Sequence, residues 1–302
     1  MEAQHAFANA MTSYQKAGNI LFVITGAYVL AEIALAQGHL REALKICEEA
    51  LQLAQAHGEL VMRGAADLYT GLSERHLEQN NLAAAKEHLL RSQALGEEAA
   101  LPHWRYRCYL AQACILEAEG YLDKALDALD EAERQYVKGP VPDIRSTAAM
   151  KARIWVKQGR LNEARHWANE QELTIDDDLS YLRESDHLTL ARIHIAQYKH
   201  DGAEHAFLEA ISLLEHLLQE AKASERTGSI LEILVLQALA QEARGDTLAA
   251  LVPLEQALVL AEPEGYVRIF VDEGDPMAQL LSECAAREII PNYVYQLLAA
   301  FS

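Results

Sequence analysis

Gly38-His-Leu-Arg-Glu-Ala43, Asn80-Asn-Leu-Ala-Ala-Ala85, Gly120-Tyr-Leu-Asp-Lys-Ala125, Gly159-Arg-Leu-Asn-Glu-Ala164, Tyr198-Lys-His-Asp-Gly-Ala203 and Gly245-Asp-Thr-Leu-Ala-Ala250 are six versions of one phrase. Their first residues are 42, 40, 39, 39 and 47 apart. Each phrase lies between two runs whose apolar residues recur with helical period, for instance Tyr28 to Gln37 before the first and Arg41 to Ala56 after it. The unit is helix, tight turn, helix, and its recurrence predicts an array of such pairs.

Small residues fix the register. Seven places before the turn residue stand Ala31, Ser73, Ala113, Ala152, Ala191 and Ala238; five places after it stand Ala43, Ala85, Ala125, Ala164, Ala203 and Ala250. Twelve places after it come Ala50, Ser92, Ala132, Gln171, Ala210 and Ala257. Helices approach closely only where side chains are small, so these columns mark the crossings within each pair. Gly or Asn at the turn fits a helix that ends on a left-handed residue. Tyr198 does not, and a differently shaped fifth turn is expected there.

Outside the repeats, Met1 to Ala17 reads as one more amphipathic helix, the second half of a pair whose first half is missing. Leu101-Pro102, Lys138 to Pro142 and Asp176 to Asp178 fall between repeats and absorb the excess length. Beyond Ala261 the pattern becomes short and glycine-bounded, followed by helices over about Pro276–Arg287 and Pro291–Phe301, each with proline near its start. The expected domain is a superhelix over 1–262 closed by a capping segment over 263–302.

Composition narrows the function. The 302 residues carry 45 acidic against 26 basic side chains, a formal net charge of −19. Such a balance argues against gripping a phosphate backbone, so no nucleic acid is expected as a partner of this chain. No run approaches the roughly 18 apolar residues of a membrane helix, and the start lacks the pattern of a signal peptide. The four cysteines form no CxxC pair. A reduced, cytoplasmic, membrane-free protein is the expectation.

Catalytic and metal signatures are missing. There is no GxSxG, no HExxH and no glycine-rich loop after a strand. His187 and His194 share a helix face at best, and the Asp176–Asp178 triplet reads more plainly as an acidic loop before a helix than as a cation site. Cys108 and Cys114 stand too far apart around a helix to pair, and read as buried free thiols. No enzyme activity, cofactor or metal is expected. Trp155 reads as core, Trp167 as outer layer, and Trp104 as partly exposed at a helix start.

The small-residue register over about residues 20–262 resembles the tetratricopeptide repeat, although intervals near 40 exceed the usual spacing of that family. That resemblance implies an all-α, tetratricopeptide-like helix-pair solenoid: a right-handed superhelix of about six repeats with a short C-terminal cap. A narrower likeness rests on Ala261-Glu-Pro-Glu-Gly-Tyr-Val-Arg-Ile-Phe-Val-Asp-Glu-Gly274, on Tyr181-Leu-Arg-Glu-Ser-Asp-His-Leu-Thr-Leu-Ala-Arg192 and on Ile290-Pro-Asn-Tyr-Val294. These phrases resemble the repeat region of MalT-like, LuxR-type bacterial transcription regulators, which join it to a nucleotide-binding switch and a helix-turn-helix. The resemblance implies a fragment of such a regulator: its ligand- or protein-binding sensor domain. The chain has no phosphate loop and stops at Ser302 before any DNA-binding helix pair. Neither ATP hydrolysis nor DNA binding is therefore expected of these residues.

In a helix-pair solenoid the first helices line the concave face, where such proteins usually bind. The register turns Glu32, Glu74, Cys114, Arg153, Arg192 and Leu239, six places before each turn, toward it, with Asp67, Arg107 and Glu232 thirteen places before and the column Tyr28, Thr70, Leu110, Ala149, Leu188, Val235 ten places before. Acids dominate the first two repeats and arginines the next three. The candidate ligand-binding residues are Tyr28, Glu32, Tyr69, Glu74, Arg107, Tyr109, Arg153 and Arg192. Arginine suits a carboxylate, a phosphate or an acidic peptide through its planar fork, whereas the tyrosines would suit a sugar. The competing expectation is that the arginines only brace neighbouring repeats through acids such as Glu184 or Glu119. A small-molecule effector or a peptide partner, with self-association of the parent protein, fits a regulator; a free-standing adaptor that binds a peptide tail is the rival.

Overall fold

The structure is a computed structural model, and it describes residues 9, 11–14, 16–56, 63–136, 145–175 and 180–301. The fold is an all-α, tetratricopeptide-like array of helix pairs, with no strand among the described residues. It forms two compact units: Met1–Val137 with Glu264–Tyr266, and Lys138–Pro263 with Val267–Ser302. Unit 1 holds α1 (Ile20–Ala36), α2 (Leu40–Ala56), α3 (Ala65–Glu78), α4 (Leu82–Leu95), α5 (Trp104–Ala118) and α6 (Leu122–Gln135). Unit 2 holds α7 (Thr147–Lys157), α8 (Leu161–Glu170), α9 (Glu184–Asp201), α10 (Glu204–Ala223), α11 (Thr227–Ala243) and α12 (Thr247–Ala261). It closes with α13 (Arg268–Val271), α14 (Asp275–Ala286) and α15 (Pro291–Ala299). The two proline-led helices expected near the end are α14 and α15. Of the helix expected over Met1 to Ala17, residues 11–14 are helical, and residues 1–8 lie outside the described residues, as do Lys138–Pro142 and Asp176–Asp178.

The two helices of a pair are made differently. On α2, Leu40, Ala43, Leu44, Cys47, Ala50, Leu51 and Ala54 are buried, a single stripe at helical spacing, while the opposite face meets water. On α11 nearly every residue from Leu231 to Ala240 is buried. The difference follows from position: a first helix packs against its own partner and against the first helices beside it, as α3 does on α1, α4 and α5. A second helix keeps one side free.

The expected crossings are tight. Ala31, Ser73, Ala113, Ala152, Ala191 and Ala238 are all buried to within 1 %. Gly38, Asn80, Gly120, Gly159 and Gly245 all take the left-handed conformation at the turn. Each closes its helix with two backbone bonds. At the first turn Gly38 N–H donates to the Leu35 carbonyl and His39 N–H to the Ala34 carbonyl, both at 2.9 Å.

The fifth turn corrects the sequence register. Tyr198 is helical, and α9 runs on to Asp201 before Gly202 (φ 70°) reverses the chain with a single bond to the Tyr198 carbonyl at 2.9 Å. A tyrosine resists the left-handed region that glycine enters freely, so the helix continues until a glycine arrives. Counting from 159 to 202 and from 202 to 245 gives 43 residues each. Four extra residues add about one helical turn, so the face presented to the neighbours survives and Ala191 stays in its crossing. Ala203 instead becomes a half-buried cap residue, and Ala206 and Ala210 supply the close contact on α10.

Candidate functional site: the face of the first helices

In unit 1 this face is organised around two arginines. Arg75, on α3, is fully buried. Its Nη2 donates to Glu32 of α1 at 2.6 Å and its Nη1 to the Gly71 carbonyl at 2.7 Å, with Glu74 3.7 Å away. Burial works against the guanidinium charge, but Glu32, Cys47 and Glu74 together hold its pKa above the ordinary arginine value. The room it occupies comes from Gly71, where a Cβ would stand 2.9 Å from Nη1. The neighbouring Cys47 thiol is pushed up to about 11, mainly by its own burial.

Arg107, on α5, pairs with the buried Asp67 of α3 and lies 4.8 Å over the ring of Tyr28. Asp67 also accepts the Leu101 N–H at 2.7 Å. Burial pushes the Asp67 carboxyl above the usual carboxylate range, and Arg107 pulls it back. The charges that appear segregated along the sequence thus cancel inside unit 1: Asp67 answers Arg107, and Glu32 answers Arg75. The braces are there, with partners other than those expected, since Glu119 pairs with Lys86 and Glu184 with Arg226 and Ser229.

Other expectations also need correction. In the column expected to point into the groove, Thr70, Leu110, Ala149, Leu188 and Val235 are buried, because first helices have neighbours on both sides. Tyr69 is packed against the core of unit 1 and stacks on His88 at 5.9 Å, and Tyr109 is half-buried. Trp104 is buried rather than partly exposed, its indole N–H bonded to Ser92 Oγ at 2.8 Å. Cys108 is buried and Cys114 half-buried, and neither is in a disulfide.

In unit 2, Arg192 of α9 is nearly buried. Its Nη1 donates to both carboxylate oxygens of Glu273, at 2.6 and 2.8 Å, and its Nη2 to Glu232 of α11 at 3.1 Å. Desolvation opposes its charge, and the two acids outweigh it. Beside this pair lies a cavity of about 430 Å³, walled by α7, α9, α11 and the segment from Asp272 to Pro276. Arg153 and Arg192 line it together.

The family model for the MalT-like TPR region matches residues 1–287. The chain belongs to this family. Among curated proteins none matches it. In this MalT-like TPR region no three His, Cys, Asp or Glu side chains among the described residues are grouped so as to hold a metal ion. No helix among them is long and apolar enough to cross a membrane.

Two residues of the TPR region's site escape the sequence reading. Arg75 stands two places after the small residue of its repeat, a column otherwise filled by Ile33, Ile115, Ile154, Ile193 and Ala240. A lone cation in a column of isoleucines was the available signal. Glu273 had none, because its role depends on where the segment after α12 folds back.

Proposed function

We propose that this chain is the sensor or effector domain of a signal-responsive, LuxR-type transcription regulator, without catalytic activity of its own. It binds a small molecule or a peptide on the face of its first helices. The observation that supports this reading most is the cavity of unit 2, where cationic side chains on α7 and α9 meet apolar residues of α11 on a scaffold braced by ion pairs. Cavities of roughly 300–1,000 Å³ are the usual size for small organic ligands.

A ligand shifts a regulator between resting and self-associating states only by binding one of them better. A hundredfold preference is worth about 2.7 kcal/mol. Helix-pair arrays suit the task because each pair touches chiefly its neighbours, so small rotations add along the stack. The test has two arms. A thermal-shift screen of sugars, nucleotides and organic acids on the purified chain should return an effector that raises the melting temperature. The reading frame at the chromosomal locus should continue into a helix-turn-helix. A frame closing at Ser302, with binding only to peptides, would replace the regulator with an adaptor.

A further inference from the structure

The charges around the cavity of unit 2 are already compensated. Six Lys, Arg, Asp and Glu side chains line it: Arg153 and Lys157 from α7, Arg192 and Lys199 from α9, then Asp272 and Glu273. Arg192 is held by Glu232 and Glu273, Lys199 by Glu242 at 2.8 Å, and Asp272 by Arg268. Arg153 and Lys157 are not free either. A charged ligand would have to lose hydration without meeting an unpaired counter-charge, or break a pair that holds the wall together. Either is costly.

What lacks a partner is apolar surface. Ile195, Leu236 and Leu239 are buried in the wall, while Val156, Leu161 and Ala196 beside them are only half-buried. Lys157 and Lys199 are exposed, so these two stand at the mouth. Covering the half-buried side chains removes apolar surface from water, which is favourable in proportion to the area covered. A sugar, with hydroxyls on every side, would have to bury some of them against these groups without hydrogen bonds.

We propose that this cavity binds a neutral, largely apolar small molecule, its body against α7, α9 and α11 and any hydrogen-bonding group turned to the mouth. The inference rests on the sensor-domain reading and assigns it a ligand class. It also says what the ligand holds together. Glu273 and Pro276 wall the cavity opposite the first helices. A molecule between them adds contacts alongside the Arg192–Glu273 pair, so occupancy ties the segment after α13 to the helix pairs of unit 2.

The test uses the purified full chain and isothermal titration with 1-octanol, octanoate, octylammonium and glucose. The octyl probes share a chain and differ in charge. Octanol should bind about tenfold or more tightly than either ion, and more tightly than glucose. Raising NaCl from about 0.05 to about 0.5 M should change octanol affinity by less than about twofold, because no ion pair forms. Ala196→Leu and Val156→Phe fill the cavity from α9 and α7. At least one should keep or raise the melting temperature while weakening octanol binding about tenfold, a combination that misfolding cannot produce. Either ion or glucose binding as tightly as octanol overturns the proposal, as does no binding by octanol. So does octanol affinity that falls steeply with salt, or that changes in neither filled variant except with loss of stability. If octanol fails while the wider screen finds an effector, the ligand class falls and the sensor reading stands. If octanol binds as stated but the locus encodes no regulator, the reverse holds.

Discussion

Arg75 in unit 1 and Arg192 in unit 2 solve the same problem with different consequences. Each is a guanidinium carried inward on a first helix and held by two acids: Glu32 and Glu74 for one, Glu232 and Glu273 for the other. Arg75 is enclosed by its own helix, with Gly71 giving way to it and Cys47 against it. Arg192 stands on the wall of a cavity, and one of its acids comes from outside the repeats. A buried ion pair contributes little net stability, because desolvation offsets attraction, but removing one partner leaves the other stranded. The first arginine is thus a closed brace. The second is a brace on the wall of a cavity.

The largest expected effect is at the closed brace. Arg75→Ala should cost about 3–5 kcal/mol by urea denaturation, since it strands two acids and opens a void. A loss below about 1 kcal/mol would mean that the guanidinium is not holding α1 to α3. Arg192→Ala should cost less, about 2 kcal/mol, because Arg192 already lines a cavity that water can enter, so its removal opens no new enclosed void. Equal losses at the two positions would break the distinction between them.

Gly71→Ala sharpens it further. Alanine is the better helix former by about 1 kcal/mol, yet its Cβ would displace the Arg75 guanidinium. The substitution should cost about 1–2 kcal/mol in the native chain. In an Arg75→Met background it should become neutral or stabilising, and a double-mutant cycle measures the change.

The smallest effect is a pH dependence from a histidine pair in unit 1. His76 and His88 stack at 5.0 Å and are half-buried. Burial depresses both imidazoles; at His88 the neighbouring His76 and Arg91 add to this, while Glu48 works against it at His76 and Glu87 at His88. The folded state therefore binds fewer protons than the unfolded chain, whose imidazoles titrate near about 6.5. Stability should be full above that value and decline as the pH falls below it. Denaturation at pH 7.5 and 5.5, repeated with His76→Gln/His88→Gln, should show a shallower decline in the double variant.

Much of the scaffold was legible in the chain. The alanine columns and the turn glycines placed five of six turns, and Pro276 and Pro291 announced the closing helices, because crossings and caps depend on residues a few places apart. The fifth turn was misplaced by four residues, since the phrase around Tyr198 imitates the others and the glycine that acts follows it. Among the candidate binding residues, Arg107, Glu32 and Arg192 read as lining the face, but their partners Asp67 and Arg75 come from other helices and Glu273 from the segment after α13. Pairing across helices leaves no periodic mark.

Short-range chemistry accounts for what could be read directly: where helices begin and stop, which side chains are small enough for backbones to meet, and the helix-pair repeat that follows. Which charges cancel, which aromatic is sheltered, and where a cavity remains depend on residues far apart in the chain, 81 positions for Arg192 and Glu273 and 223 for Arg41 and Glu264. Such pairs are brought together by packing, and packing is a property of the assembled helices rather than of any one stretch of chain.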